Sequence, residues 1–83
     1  MTVEIYSKSD CPFCDAAKSL LTKHSLTYTE YSVGVNGVTR DTILKRFDDE
    51  SIQHPNKLTV PQIWIDKKYI GGYDNLSKFL GKK

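Results

Sequence analysis

Two cysteines, Cys11 and Cys14, stand only two residues apart in the stretch CPFC, and the chain has no other cysteine. A disulfide across so short a loop adds little stability, because in the chain-entropy model the stabilisation grows with loop length. In a reducing compartment, a close cysteine pair is catalytic or metal-binding more often than structural. The pair therefore constrains the chemistry of this chain more than any other feature of its sequence.

Length and composition predict a single compact domain spanning residues 1–83. Of the 83 residues, 39% are hydrophobic and 27% are charged, which is typical of a small globular protein. The 12 basic and 10 acidic residues are scattered, unlike the basic patch of a nucleic-acid-binding protein. No apolar run has the length of a membrane-spanning helix or the pattern of a secretory signal. We therefore expect a cytoplasmic monomer that binds neither nucleic acid nor membranes.

Hydrophobic periodicity and turn residues predict the element order βαβαββα. Strands are predicted where β-branched or alternating apolar residues recur, and helices where apolar residues recur every three or four positions. In chain order, we predict a strand over residues 2–6, a helix from Pro12 to His24 or Ser25 with Phe13, Ala17, Leu20 and Leu21 on its apolar face, a strand over 26–33, a helix over 38–47, a loop over 48–57, strands over 59–66 and 69–72, and a helix from Tyr73 to Leu80 with Gly81 just past its end.

The order of these elements predicts the topology of the sheet. A strand, helix and strand in succession form a parallel pair joined by a right-handed crossover, whereas a short turn at Lys67 and Lys68 joins the last two strands as an antiparallel hairpin. The predicted fold class is therefore α/β, with a mixed four-stranded sheet flanked by helices. Within the third strand, Ile63 and Ile65 are predicted to face one side and Trp64 the other.

Cys11 directly precedes the first predicted helical residue, so its sulfur is expected near the positive end of the helix dipole. This position favours a thiolate and lowers the pKa of the thiol. Lys8 adds to the effect, whereas Asp10 and Asp15 oppose it. Cys14 lies one helical turn further along the same face and is more enclosed. We therefore predict that Cys11 is the nucleophile and Cys14 the resolving thiol.

Two other interpretations of the pair remain open on the residues alone. A zinc site needs about four ligands, and the other candidates, His24 and His54, stand outside the usual spacing. The cysteines could also be buried and inert, although Cys11, beside a polar turn, is poorly placed for burial. A C-x-x-C that directly follows a strand and opens a helix is a more specific indication of redox chemistry than the spacing alone.

Three blocks of the sequence together resemble the glutaredoxin family. They are YSKSDCPFC at the first strand–helix junction, TVPQIWID at the third strand and GGYDNL at the start of the last helix. The resemblance covers nearly the whole chain and implies a thioredoxin-like fold with glutathione bound in a groove beside the nucleophile. Phe13 stands where dithiol members most often have tyrosine, and it is expected beside glutathione with its ring kept and the hydroxyl lost.

The resemblance implies further glutathione-binding residues around TVPQ. Lys8 and Lys57 are expected near the glycyl carboxylate, although either could be only a surface charge. Thr59 and Val60 match the segment whose backbone pairs with the cysteinyl part of glutathione like an added strand. Pro61 matches the cis-proline of the family, whereas sequence patterns alone also allow a trans-proline at a strand edge.

The block GGYDNL implies the other end of the glutathione site. Gly71 and Gly72 match the double glycine at which the family's chain turns closely past the ligand. The backbone amides of Tyr73, Asp74 and Asn75 suit the γ-glutamyl carboxylate. The Asp74 carboxylate could face the ammonium group of glutathione, or it could serve only as a helix cap. Asn75 replaces a second aspartate that many members carry, which weakens that contact.

Together these residues predict a glutathione-dependent thiol–disulfide oxidoreductase that reduces protein disulfides and glutathione mixed disulfides. No metal is expected. One alternative is an iron–sulfur carrier with Cys11 as a ligand, which Pro12 and Cys14 disfavour. Another is a dedicated electron donor to one enzyme, such as ribonucleotide reductase. The loop over residues 48–57 is longer than in the shortest members. It could alter which protein disulfides reach the groove or be a neutral insertion, and we favour the second interpretation.

Overall fold

A computed structural model describes residues 1–81, so that Lys82 and Lys83, the end of the predicted domain, lie outside the described residues. The predicted order βαβαββα is confirmed. The elements are β1 (Val3–Ser7), α1 (Pro12–Lys23), β2 (Thr29–Ser32), α2 (Arg40–Asp49), β3 (Gln62–Ile65), β4 (Lys68–Gly71) and α3 (Tyr73–Gly81). None of the helices in this part of the chain is long and apolar enough to cross a membrane.

The four strands form one mixed sheet, as predicted, and their order in it is β2-β1-β3-β4. β1 and β2 are parallel and connected through α1, whereas β1 pairs with β3 and β3 with β4 in antiparallel ladders. The hairpin turn falls on Asp66 and Lys67, one residue earlier than predicted. Both residues have positive φ angles, 51° and 65°. A two-residue hairpin turn whose twist matches that of its strands requires such angles. Lys68 consequently belongs to β4.

One face of the sheet, which we call the aliphatic face, packs against α1 and α3. It consists of small and branched side chains, and alternate positions of β1 and β3 supply them. Its buried members are Val3, Ile5, Ala17, Leu21, Ile63, Ile65 and Leu76. Two of these are the isoleucines that the sequence predicted to share a face of the third strand.

The opposite face, which we call the aromatic face, packs against α2. Its buried members are Tyr6, Ile43, Phe47 and Trp64. The Trp64 ring lies 5.4 Å from the Tyr6 ring and 5.8 Å from the Phe47 ring, measured between ring centroids. The prediction that Trp64 lies opposite the isoleucines is therefore confirmed, and the aromatic side chains pack together on this face.

A polar cluster lies on the aromatic face around Arg46 of α2. Its guanidinium donates to both carboxylate oxygens of Glu4, each at 2.9 Å, and through Nε to Glu50 at 2.8 Å. The same group lies 4.2 Å from the centre of the Trp64 ring, whose indole N–H donates to Glu50 at 2.8 Å. Partial burial acts to raise the pKa of Glu50, but the hydrogen bonds from Arg46 and Trp64 outweigh it and hold that pKa below its usual range.

A smaller polar cluster ties α1 to two strands on the side of the aliphatic face. The Glu30 carboxylate of β2 accepts hydrogen bonds from the Ser7 hydroxyl at 2.5 Å and from Lys18 of α1 at 2.9 Å. These two hydrogen bonds, the one from Ser7 being the larger effect, lower the pKa of Glu30. The bond to Glu30 in turn raises the pKa of Lys18.

The second strand is shorter than predicted, because the first helix ends in a turn that consumes the residues before it. Ser25 has a left-handed φ of 58°, and the Leu26 N–H donates back to the Leu21 carbonyl at 2.9 Å. This pattern closes the C-terminal end of a helix. Leu26 and Tyr28 therefore pack against the aliphatic face from a connecting segment, and the ladder with β1 starts at Thr29.

The boundaries of the second and third helices also differ from those predicted. α2 begins at Arg40 because Thr39 caps it, with reciprocal side-chain bonds between Thr39 and Thr42. Such a capping pair satisfies two backbone N–H groups that the first turn of a helix leaves free. α2 consequently runs to Asp49, two residues into the predicted loop, and Gly81 is helical instead of following the helix.

Candidate active site

Cys11 occupies the N-cap of α1, and Pro12 is the first helical residue, as predicted. The Cys11 backbone is extended, and its Sγ accepts a hydrogen bond from the backbone N–H of Cys14 at 3.2 Å. A cap acceptor satisfies one of the N–H groups that a helix leaves free at its start, where the macrodipole favours negative charge. The backbone therefore places the Cys11 sulfur where a thiolate is stabilised.

The two sulfurs are joined as a disulfide, with the Cα atoms 5.2 Å apart. Cys14 is fully buried, whereas Cys11 keeps 7% of its surface exposed. The expectation that Cys11 is poorly placed for burial is wrong, because its Sγ lies only 3.7 Å from the Val60 carbonyl oxygen and is covered on that side. The difference in exposure still favours Cys11 as the attacking sulfur, since only this sulfur borders a groove.

The first groove, which we call the Cys11 groove, has a volume of about 510 Å³. It lies between the start of α1, the start of α2 and the segment that precedes β3. Its lining consists of Lys8, Asp10, Cys11, Pro12, Val33, Arg40, Ile43, Lys57, Leu58, Thr59 and Val60. The structure thus brings both predicted basic residues, Lys8 and Lys57, to the same groove as the nucleophile.

The second groove, which we call the α3 groove, has a volume of about 490 Å³ and lies against the start of α3. Its lining consists of Phe13, Thr59, Val60, Pro61, Gly72, Tyr73, Asp74 and Asn75. Thr59 and Val60, which we call the binding segment, line both grooves. All the residues predicted to bind glutathione therefore line one or both of two grooves that meet at this segment.

Phe13 belongs to the α3 groove instead of the core. The periodicity of α1 placed Phe13 on the apolar face of the helix, but 62% of its surface is exposed. Its ring lies 6.2 Å from the Tyr73 ring, measured between centroids. The two rings together form an aromatic wall beside the cysteine pair.

The backbone around the α3 groove agrees with the expectations for Pro61 and the double glycine. The Val60-Pro61 peptide bond is cis. Gly71 has a φ of 120°, and a Cβ there would overlap the side-chain amide of Asn75. At Gly72 a Cβ would lie 3.5 Å from the Pro61 carbonyl oxygen. The conformational requirement for glycine therefore falls on Gly71, whereas Gly72 lines the groove.

The N-terminus of α3 lies at the α3 groove, which its first residues line. The Leu76 N–H donates to the Gly72 carbonyl at 3.0 Å, which places Gly72 at the cap position. Asp74 is the second residue of the helix, so the alternative that it is the helix cap is wrong. The amides of Tyr73, Asp74 and Asn75 precede Leu76, the first intrahelical donor, and can donate to an anion.

Several lining residues of the Cys11 groove were not predicted from the sequence. They are Val33, Arg40, Ile43 and Leu58. Arg40 is the first residue of α2, and the capping pair at Thr39 and Thr42 was the signal that could have placed it at a helix end. No sequence signal indicates that this helix end lies beside the cysteine pair, because that proximity comes from packing against the sheet.

The residues of the zinc alternative are not brought together. His24 follows the last residue of α1, and His54 pairs with Asp48 at 2.7 Å. Among residues 1–81, no group of three or more histidine, cysteine, aspartate and glutamate side chains is arranged to hold a metal ion.

Comparison with known proteins gives consistent findings for family and fold. The family model described as Glutaredoxin matches residues 3–70. Glutaredoxin 3 of Escherichia coli (strain K12) is 39% identical over 74 residues, which cover 89% of this chain and 80% of that protein. The crystal structure of glutaredoxin 1 from Francisella tularensis complexed with cacodylate matches with a TM-score of 0.70 and 28% identity over 98% of both chains. A buckwheat glutaredoxin–glutathione complex matches with a TM-score of 0.74 over 92% of this chain and 64% of that chain, and its 21% identity supports a likeness of fold.

Proposed function

The chain belongs to the glutaredoxin family, and from this membership we propose that it is a glutathione-dependent thiol–disulfide oxidoreductase. The observation that carries the proposal is the position of Cys11. Its sulfur caps α1, accepts a hydrogen bond from a backbone amide, and borders a groove lined by the binding segment and two lysines. This arrangement provides a stabilised thiolate and a place for a peptide beside it.

The proposed reaction begins with the reduced protein. The Cys11 thiolate attacks one sulfur of a substrate disulfide, and the other substrate sulfur leaves as a thiolate that takes up a proton. The Cys14 thiolate then attacks the Cys11 sulfur, which releases the substrate as a second thiol and leaves the Cys11–Cys14 disulfide. Two glutathione molecules reduce this disulfide in two exchange steps and leave as glutathione disulfide. With a glutathionylated substrate, Cys11 attacks the glutathione sulfur and the protein thiol leaves.

Glutathione has a carboxylate at each end, and the two grooves offer a cationic or amide-rich partner for each. We place the glycyl carboxylate in the Cys11 groove near Lys8 and Lys57, and the γ-glutamyl end at the first turn of α3 near Asp74. The cysteinyl part then lies along the binding segment, where backbone pairing aligns its sulfur with Cys11. The buckwheat protein, which shares the fold, was solved as a complex with glutathione.

The proposed substrates are disulfide-containing and glutathionylated proteins. The aromatic wall of exposed Phe13 and half-buried Tyr73 gives a substrate protein a surface to pack against beside the cysteine pair. Ribonucleotide reductase is one candidate among such substrates. We propose that the protein acts as a monomer in the cytoplasm, where the glutathione pool is reducing.

The test is the glutathione-dependent reduction of a small mixed disulfide by the purified protein, coupled to glutathione reductase. We expect turnover by the wild type and none by Cys11→Ser. Ser19→Ala, an exposed change on the far part of α1, is the matched control and should keep full turnover. Absence of turnover with glutathione, combined with activity when thioredoxin reductase supplies the electrons, would contradict the proposal.

A further inference from the structure

The binding segment between the two grooves is held by few main-chain hydrogen bonds. Thr59 and Val60 precede β3, whose first residue is Gln62. Among the described residues, no backbone–backbone hydrogen bond outside the helices and the sheet involves residues 57–61. A backbone segment that pairs with a substrate must leave its N–H and carbonyl groups free, and it must also be held in one orientation. Other contacts therefore have to fix its orientation.

The side chain of Gln62 makes such a contact. It is buried, with 5% of its surface exposed, and its Nε2 donates to the Thr59 carbonyl at 2.7 Å. Its Oε1 accepts from the Tyr69 hydroxyl at 2.6 Å. Since a carbonyl can only accept, the amide nitrogen must face Thr59, and the amide oxygen is left for the hydroxyl. The three groups form a chain with one polarity, from Tyr69 through Gln62 to Thr59.

The aromatic face holds Tyr69, the first group of this hydrogen-bond chain, in place. The Tyr69 ring lies 4.9 Å from the Trp64 ring and 5.2 Å from the Phe47 ring, measured between centroids. Packing on two buried rings leaves the hydroxyl little freedom to move. Burial raises the pKa of Tyr69 above its usual value of 10.0, so the hydroxyl remains a donor through the physiological pH range.

We propose that Tyr69 and Gln62 are positioning residues that hold the binding segment in the orientation required for substrate. Tyr69 orients the Gln62 amide, and Gln62 occupies the Thr59 carbonyl. The Val60 N–H is then left to pair with the backbone of a glutathione moiety, while the Val60 carbonyl faces the Cys11 sulfur at 3.7 Å. This inference rests on the proposed function, because it concerns the segment along which glutathione is placed.

The first test removes the Tyr69 hydroxyl, which begins the hydrogen-bond chain. We expect Tyr69→Phe to lower kcat/KM for a glutathione mixed disulfide about five-fold, the factor that one neutral hydrogen bond is worth. The loss should appear in KM, with kcat unchanged, because the cysteine pair is untouched. Alkylation of Cys11 by iodoacetamide, which needs no groove, should keep its rate. Tyr31→Phe is the matched control: this half-buried tyrosine packs on Tyr6 in the same cluster but lies outside the chain.

The second test uses a substitution whose hydrogen bonding depends on pH. In Gln62→Glu, a protonated carboxyl can accept from Tyr69 and donate to Thr59, whereas an ionised one cannot donate. We expect the ratio of the variant rate to the wild-type rate to rise towards one as the pH falls from about 8 to about 5, because burial raises the carboxyl pKa into this range. A merely structural role predicts a constant ratio. The alkylation rate at each pH corrects both proteins for the fraction of thiolate.

Backbone ¹⁵N relaxation separates a failure of this inference from a failure of the proposed function. We expect the order parameter of the Val60 amide to fall from the rigid range of about 0.85 towards about 0.6 in Tyr69→Phe but not in Tyr31→Phe, with the amides of β1 unchanged. This readout needs no turnover. If the wild type reduced no mixed disulfide, the proposed function would fail while the order parameters still decided the role of Tyr69. Equal order parameters in the two variants, or a pH-independent ratio for Gln62→Glu, would overturn the inference.

Discussion

The two faces of the sheet differ in side-chain chemistry and in the part of the active site that each supports. The aliphatic face holds α1, which begins at the cysteine pair, through residues such as Ala17 and Leu21. The aromatic face holds the binding segment, because Leu58 and Val60 pack against it. The reacting sulfur atoms and the binding segment are thus supported by separate cores, whereas α3, which lines the α3 groove, packs on the aliphatic face together with α1.

The two cores position the Cys11 sulfur and the binding segment by different means. Aliphatic side chains pack α1 closely but carry no polar groups, so the sulfur position is set by the helix end itself. The aromatic face includes polar groups with defined directions, such as the Arg46 fork and the Tyr69 hydroxyl. We therefore expect changes where α1 packs on the aliphatic face to alter stability alone, and changes where the binding segment packs on the aromatic face to alter substrate binding as well.

The largest expected effect concerns the cysteines themselves. We predict that Cys14→Ser reduces protein-disulfide turnover to background, because the second exchange step needs its thiol. Reduction of a glutathione mixed disulfide, which needs only Cys11, should persist. Steady-state assays with one substrate of each kind measure both activities. If Cys14→Ser were as inactive as Cys11→Ser on the mixed disulfide, the assignment of nucleophile and resolving thiol would be wrong.

The next comparison uses one buried aliphatic residue from each core. Leu21 and Ile43 are both fully buried, and replacing either by alanine is expected to cost about 2 to 5 kcal/mol of unfolding free energy. Only Ile43 also lines the Cys11 groove. We therefore predict an increased KM for the mixed disulfide in Ile43→Ala and an unchanged KM in Leu21→Ala.

Urea unfolding gives the stabilities of these two variants, and kinetics at a temperature at which both are folded give KM. Wild-type protein partly unfolded in urea to the same degree is the control for loss of active molecules, which lowers kcat alone. Equal increases in KM for the two alanine variants would contradict the inference that only the aromatic face supports the Cys11 groove.

Strong local signals in the sequence predicted most of the fold. The CPFC stretch after a strand fixed the start of α1 at Pro12, and alternation in β3 assigned Ile63 and Trp64 to opposite faces. Elements bounded by weaker signals were misplaced by one to three residues. The second strand was predicted too long because Ser25 adopts a left-handed conformation in the turn after α1. The presence of a serine in the sequence does not predict this conformation. Boundaries of this kind are set by hydrogen bonds that close a helix, not by periodicity.

The candidate site was predicted chiefly by resemblance to a family, and the structure adds the spatial relation of its parts. Phe13 shows the limit of periodicity, since its spacing fits the core and its surface is mostly exposed. Arg40 and Ile43 reach the Cys11 groove only because α2 packs across the sheet. Contacts between residues distant in the sequence, such as those of Gln62, Tyr69 and Thr59, follow from strand register, which side-chain type alone does not determine.

A smaller difference, in unfolding free energy, is expected between the polar clusters on the two sides of the sheet. The Arg46 side chain is 18% exposed, bonds to two carboxylates and stacks on Trp64. We predict that Arg46→Met costs about 1 to 3 kcal/mol of unfolding free energy, because it leaves two partly buried carboxylates without their cation. Lys18→Met should cost less than about 1 kcal/mol, since the more exposed lysine makes a single close bond.

Urea unfolding of both methionine variants at neutral pH measures these costs. Because the Arg46 cluster includes Trp64, the fluorescence of Arg46→Met should also change, whereas that of Lys18→Met should match the wild type. A larger cost for Lys18→Met would show that the cluster between α1 and the strands, and not the Arg46 cluster, carries the main polar contribution.

The smallest expected effect is the acid dependence that Glu30 gives to the side of the sheet that holds α1. The pKa of Glu30 is lowered in the folded protein, first by the Ser7 hydroxyl and then by Lys18. Its contribution is therefore complete above the unfolded pKa of about 4.3 and is lost as the pH falls through the lower folded pKa. We predict that Ser7→Ala loses less stability than the wild type between about pH 5 and pH 3. Urea unfolding across this range tests it, with Ser19→Ala as control, and parallel losses in all three proteins would mean that the acid response arises instead from carboxylates such as Glu50 on the aromatic face.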